Sequence, residues 1–190
     1  MSCLPWTKEL RQWQARVLFA RRTDREPARW PDVSDQALLD TLEVWLGSFI
    51  HGKRSLHQVR GLDLTEPLQS WLSWEERKDL ERLAPIHLTV PSGSQIRLDY
   101  EAGDRPVLAV KLQEMFGCRE TPRVGGSIPV MVHLLSPAGR PVQVTQDLAS
   151  FWASTYQEVK KELRGRYPKH PWPDDPLTAE PTRRTKRNQR

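Results

Sequence analysis

The chain has 190 residues, with 29 lysines and arginines against 24 aspartates and glutamates, for a net charge of +5. At 37% hydrophobic and 28% charged residues, it can bury one domain core or two small ones and is not biased enough to be disordered throughout. No apolar run approaches the roughly 20 residues of a membrane span, the start lacks a signal peptide's pattern, and Cys3 and Cys118 form no CxxC or metal spacing, so a soluble, reduced, cytoplasmic protein without a disulfide framework is expected.

Residues 7–22 place Leu10, Trp13, Val17 and Ala20 on one stripe of a charged segment, which predicts an amphipathic helix. A charged loop containing Pro27 and Pro31 follows. Ser34 is suited to cap a second helix, with Leu38, Leu39, Leu42, Trp45, Leu46 and Phe49 on one face and an end expected at Gly47. Short helical pieces are expected near 55–60 and 64–72. Ser73-Trp-Glu-Glu76 is a capping box opening a helix to about Leu83, which Pro85 terminates. Six of the eight tryptophans lie in this helical region, assigned to residues 1–84.

The period then changes. Ile86, Leu88 and Val90 alternate with polar residues, as do Ile96, Leu98 and Tyr100, and Pro91-Ser-Gly-Ser94 between them predicts a β-hairpin. A strand is expected at Val107–Lys111, a single helical turn at Leu112–Gly117, a loop over Arg119–Ser127, a strand through Val130, Val132 and Leu134, and an edge strand at Val142–Val144. Thr145 is expected to cap a last helix whose stripe is Leu148, Phe151, Trp152, Tyr156, Val159 and Leu163. The expected fold class is α+β: a helical N-terminal half, then a small antiparallel β-sheet packed by a C-terminal helix over 85–176. A disordered basic tail over 177–190 follows, past a proline-rich stretch.

Gly47-Ser-Phe-Ile-His-Gly52-Lys53-Arg54 matches the opening of a phosphate-binding P-loop. It follows a helix rather than a strand, contains Phe49 and Ile50, and has Arg54 where the metal-binding Ser or Thr should stand, so a helix C-terminal turn is expected instead. There is no GxSxG elbow, HExxH motif or Cys–His pairing. Asp174-Asp175, between prolines, reads as a solvated turn rather than a metal pair. No catalytic site is expected in this chain.

Charge is the stronger signal. Residues 160–190 hold ten cations and four anions, a surplus of six, so residues 1–159 sum to −1. The candidate nucleic-acid-binding residues are Lys160, Lys161, Arg164, Arg166, Tyr167, Lys169, His170 and Trp172, with Arg183, Arg184, Lys186 and Arg187 in the tail. Cations interleaved with flat rings suit single-stranded nucleic acid, with side-chain charges meeting phosphates and rings stacking on bases. The competing reading has Tyr167 and Trp172 staple the proline-rich segment onto the domain. The last helix's cations also suit its dipole, and a basic tail can simply be a solubilising end.

The runs Leu88-Thr-Val-Pro-Ser-Gly-Ser-Gln-Ile-Arg-Leu-Asp-Tyr100, Leu108-Ala-Val-Lys-Leu-Gln-Glu-Met-Phe-Gly117, 133–152 and 158–176 closely resemble the C-terminal region of the HrpB family, bacterial ATP-dependent helicases of the DEAH/RHA type. The resemblance covers nearly the whole chain and is most specific over 84–176. Family members carry RecA-like motor, winged-helix, helical and OB-like domains ahead of this part. The resemblance therefore implies a fragment lacking the motor: ATP and Mg²⁺ belong to the missing domains, and no cofactor is expected here. It implies an accessory module that binds single-stranded nucleic acid, of RNA type, or regulates motor domains in cis or trans, with no membrane or small-molecule partner. The alternative is a protein-interaction module docking through a Trp-rich helical face that includes Trp6, Trp13 and Trp45.

Overall fold

The computed structural model describes residues 4–185. The chain divides into two compact units, residues 1–85 and 86–190.

The first unit is helical. Helix α1 (Lys8–Thr23) starts at Thr7, whose hydroxyl accepts from the Leu10 amide, and it buries the expected Leu10, Trp13, Val17 and Ala20. Its neighbours are tied to it by polar side chains that the stripe does not include. Gln14 donates to the Val33 carbonyl at 2.7 Å, and Arg16, only 5% exposed, donates to the Ala84 carbonyl at 2.6 Å and to Glu81 at 2.7 Å. After a 3₁₀ turn (Pro27–Arg29), the fully buried Trp30 donates its indole N–H to Asp24, which holds that carboxyl below its ordinary range.

The second predicted helix is two helices, α2 (Asp35–Asp40) and α3 (Leu42–Ile50). Thr41 breaks them: its backbone leaves helical geometry while its hydroxyl donates back to the Ala37 carbonyl at 2.6 Å. The predicted stop at Gly47 is corrected. Burial of Trp45 and Leu46 carries the helix past that glycine, and the chain turns at Gly52, whose φ of +78° suits glycine alone. The P-loop lookalike is thus a helix C-terminal turn. Helices α4 (Leu56–Arg60), α5 (Thr65–Gln69) and α6 (Trp74–Leu83) fall where expected, and α6 has both hydrogen bonds of its capping box.

The second unit holds a five-stranded sheet in the order β1 (His87–Thr89), β2 (Gln95–Asp99), β3 (Val107–Lys111), β6 (Met131–Leu135), β7 (Pro141–Thr145). All neighbouring pairs are antiparallel except β3–β6, which is parallel and modifies the expected all-antiparallel sheet. Parallel neighbours need a long return connection. Residues 112–130 provide it, with a 3₁₀ turn (Leu112–Met115) and a small hairpin of β4 (Arg123–Val124) and β5 (Ile128–Pro129) inside the segment expected to be loop. Leu98, Leu108 and Val132 are register partners across three strands and at most 1% exposed, each contributing about 1.5–3 kcal/mol of burial.

The last helix begins at Asp147, not at Thr145. Thr145 ends β7, and the Asp147 carboxylate accepts from the Ser150 amide. It runs from α7 (Leu148–Ser150) through a π-helical turn (Phe151–Thr155) into α8 (Tyr156–Arg166). The wide turn lets Phe151, Trp152 and Tyr156 all face inward, where Trp152 and Tyr156 each pack 6.3 Å from the ring of Phe116. Trp152 also donates to the Cys118 carbonyl.

Candidate functional site

Beyond α8 the prolines forbid regular structure, yet the chain is held in one path by side chains of the helix and of the 3₁₀ turn. The phenol of Tyr156 donates to the Pro173 carbonyl at 2.9 Å, Gln157 donates to the Asp174 carbonyl at 2.9 Å, and the Lys160 ammonium meets the Asp174 carboxylate at 2.5 Å. From the other side Gln113, 3% exposed, donates to the Pro171 carbonyl and accepts from His170 Nδ1 at 3.0 Å. Its own carbonyl accepts from the Thr182 amide. Gly117 donates to the Pro176 carbonyl from a φ of +80°. Residues 167–182 therefore form a strap along the domain.

This strap sorts the candidate residues. Trp172 is 8% exposed and donates its indole N–H to the Tyr167 carbonyl at 2.9 Å. Tyr167 is half-buried, edge-on to His170. Burial, with the Lys111 charge second, lowers the pKa of His170, and its proton is committed to Gln113. Trp172 and His170, two of the rings expected to stack on bases, instead staple the strap, because each has a ring N–H satisfied by the protein, while Tyr167 contributes its backbone carbonyl. Lys160 is likewise removed from the contact set: its side chain is 9% exposed and neutralised by Asp174, whose carboxyl is held below its ordinary range by that contact.

The other cations face solvent. Lys161, Arg164, Arg166 and Lys169 are exposed. Arg166 pairs with Glu162 at 3.3 Å one helical turn away, whereas Lys161, Arg164 and Lys169 make no ion pair among the described residues. Lys161 and Arg164, with Gln157, Gly165 and Pro168, line an open groove of about 580 Å³ floored by Lys160. Residues 177–182 of the expected tail stay on the domain, with Thr182 buried. Arg183 and Arg184 are exposed beyond it, and Lys186 and Arg187 lie outside the described residues.

The Trp-rich docking face is also redrawn. Trp13 and Trp45 are 8% and 3% exposed and belong to the first unit's core, and Trp6 lies under the Arg11 guanidinium, 4.1 Å from its ring centre. The exposed ring of that unit is Trp74, 74% exposed with the Lys78 ammonium over it. Asp174-Asp175 is a turn, as expected: Asp175 accepts from the Leu177 amide and the Thr178 hydroxyl. Sequence reasoning passed over Gln113 and its neighbour Glu114, whose carboxylate accepts from Ser92 at 2.8 Å and from Ser94. Polar residues inside an otherwise apolar turn are the signal that could have singled them out.

A mixed α/β domain with a strapped, cation-faced C-terminal helix is the class this architecture defines. Residues 45–176 match the family described as the ATP-dependent helicase C-terminal domain of HrpB. The chain is 45% identical over 98% of its length to the ATP-dependent RNA helicase HrpB of Escherichia coli K12, and spans 23% of that relative. It superposes with a TM-score of 0.86 on the crystal structure of the E. coli DExH-box NTPase HrpB, at 44% identity over 97% of this chain and 23% of that one. A second crystal structure, of the E. coli DEAH/RHA helicase HrpB, gives 0.71 at 40% identity over 90% of this chain and 22% of that one. The chain belongs to the HrpB family and carries its C-terminal domain. Among the described residues, no helix is long and apolar enough to cross a membrane.

Proposed function

We propose that this domain is an accessory element of an ATP-dependent RNA helicase, gripping the phosphate backbone of single-stranded RNA while the motor resides elsewhere. The observation that carries the reading is the outer face of α8 and the strap, where Lys161 and Arg164 line an open groove and, with Lys169, stand exposed and without an ion pair among the described residues. Free cations on a rigid support suit phosphates, which need charge and donors but no pocket. The Trp172 and His170 rings behind them are satisfied internally, so the grip is read as backbone-only and indifferent to base sequence. The relative named as an RNA helicase supports RNA as the polymer.

Fluorescence anisotropy of the full chain with a labelled single-stranded RNA tests this directly. Three phosphate contacts on the α8 face contribute about −2 to the slope of log affinity against log salt, a factor on the order of 20 between 50 and 200 mM salt. Equal affinity for uridine- and adenine-rich strands is expected. No binding at 50 mM salt, or a strong base preference, would overturn it.

A further inference from the structure

The first unit has a second cationic element, residues 51–61. Every residue in it except the half-buried Val59 is exposed, and α4 within it buries nothing. It carries Lys53, Arg54 and Arg60 with His51 and His57, and no carboxylate. None of the three permanent cations makes an ion pair among the described residues.

Such a segment would ordinarily have no fixed shape. A five-residue helix is far below the roughly 12–15 residues that are marginally stable alone in water. Here local hydrogen bonds supply the shape that burial does not. Lys53 N–H donates to the Ile50 carbonyl at 2.9 Å as the chain turns at Gly52. The Ser55 hydroxyl caps α4 by accepting from the Gln58 amide at 3.3 Å, and the Gln58 side chain accepts from the Arg54 amide just ahead of the cap at 2.7 Å. The loop is therefore shaped with its cations turned outward and unused.

We propose that residues 51–61 form a second phosphate-binding surface for single-stranded nucleic acid, carried by the other unit from the α8 face. This rests on the backbone-gripping reading above. Nucleic acid fits better than a protein partner because the segment offers charge without the apolar anchors a protein interface is built around, Leu56 being its one largely exposed apolar side chain. The Lys53 of the P-loop lookalike acts here as a plain point charge on a helix-end turn.

The test uses the full chain, a labelled 20-nucleotide oligouridylate, and two triple variants: Lys53→Gln/Arg54→Gln/Arg60→Gln and Lys161→Gln/Arg164→Gln/Lys169→Gln. None of these six side chains is buried, and none is ion-paired among the described residues, so both variants should melt as the parent does. Each is expected to lower the salt slope by about 2 units, since three contacts at about 0.7 each are lost. Amide exchange of the exposed segment 51–61 should slow on adding the oligonucleotide. An unchanged slope and unchanged exchange in 51–61, with binding lost only in the α8 variant, overturns the second surface and leaves the first reading standing. Failure of the parent chain to bind overturns both. Equal protection of 51–61 by polyglutamate of matched charge overturns nucleic acid as the ligand of this surface.

Discussion

The ammonium of Lys160 lies 2.5 Å from a carboxylate oxygen of Asp174, and only the lysine end of the pair is buried. The pair joins the floor of the cationic groove to the strap. It removes one charge from the surface while orienting the chain that bears Lys169.

That contact gives the strap an acid limit. The Asp174 carboxyl is held below its ordinary 3.8, first by the hydrogen bond from Lys160 and then by that residue's charge. Its stabilising contribution is thus present above 3.8 and is lost as pH falls through the depressed value. Emission from Trp172 and amide exchange over 171–176 should report loosening at acid pH. Asp174→Asn should loosen the strap already at neutral pH and abolish the acid step.

Tyr156 sets an alkaline limit with the opposite sign. Burial first, then the Asp174 and Asp175 charges, push its phenol well above its ordinary 10.0, so it stays protonated and donates to the Pro173 carbonyl. The contribution is complete below 10.0 and is lost as pH rises toward the raised value. Tyr156→Phe should cost about 1 kcal/mol in denaturant unfolding at neutral pH, the worth of one hydrogen bond.

Tryptophan substitutions separate core from surface. Trp172→Ala should destabilise by about 3 kcal/mol, as removal of a buried large side chain does. Trp74→Ala should change stability by no more than about 0.5 kcal/mol, because its ring is 74% exposed. Equal losses in chemical denaturation would contradict the burial assigned to the strap.

Arg16 holds the end of α6 by donating to the carbonyl of its C-cap, Ala84. Arg16→Met keeps the stem's packing but orphans that carbonyl, and should cost about 1–3 kcal/mol. Glu81→Gln, at the exposed end of the same pair, should cost under about 1 kcal/mol. Urea midpoints of the two variants check the asymmetry.

Much of the architecture was legible because periodicity writes burial into the chain. Leu10, Trp13 and Val17 announce α1, Ser73 and Glu76 announce the start of α6, and Pro91-Ser-Gly-Ser94 announces the β1–β2 turn. The direction of β6 beside β3 was not legible, since a strand's alternation says which face is buried and nothing about its neighbour's direction. The split at Thr41 was hidden because α2 and α3 share one apolar face across it. The candidate site was half readable. Its charges stand in the sequence, but whether Trp172 stacks or staples depends on Gln113 and Tyr156, far away along the chain, and on carbonyl oxygens no composition reveals.

The π-helical turn at Phe151–Thr155 acts as a one-residue shim. Its five residues span nearly the arc that four cover in an ordinary helix, so the extra residue is absorbed locally. Excising the exposed Ala153 would restore ordinary pitch and leave Lys161 and Arg164 facing solvent, whereas a deletion inside α8 would turn everything beyond it by about 100°. This short stretch is therefore the most forgiving place in the helix for the loss of a single amino acid.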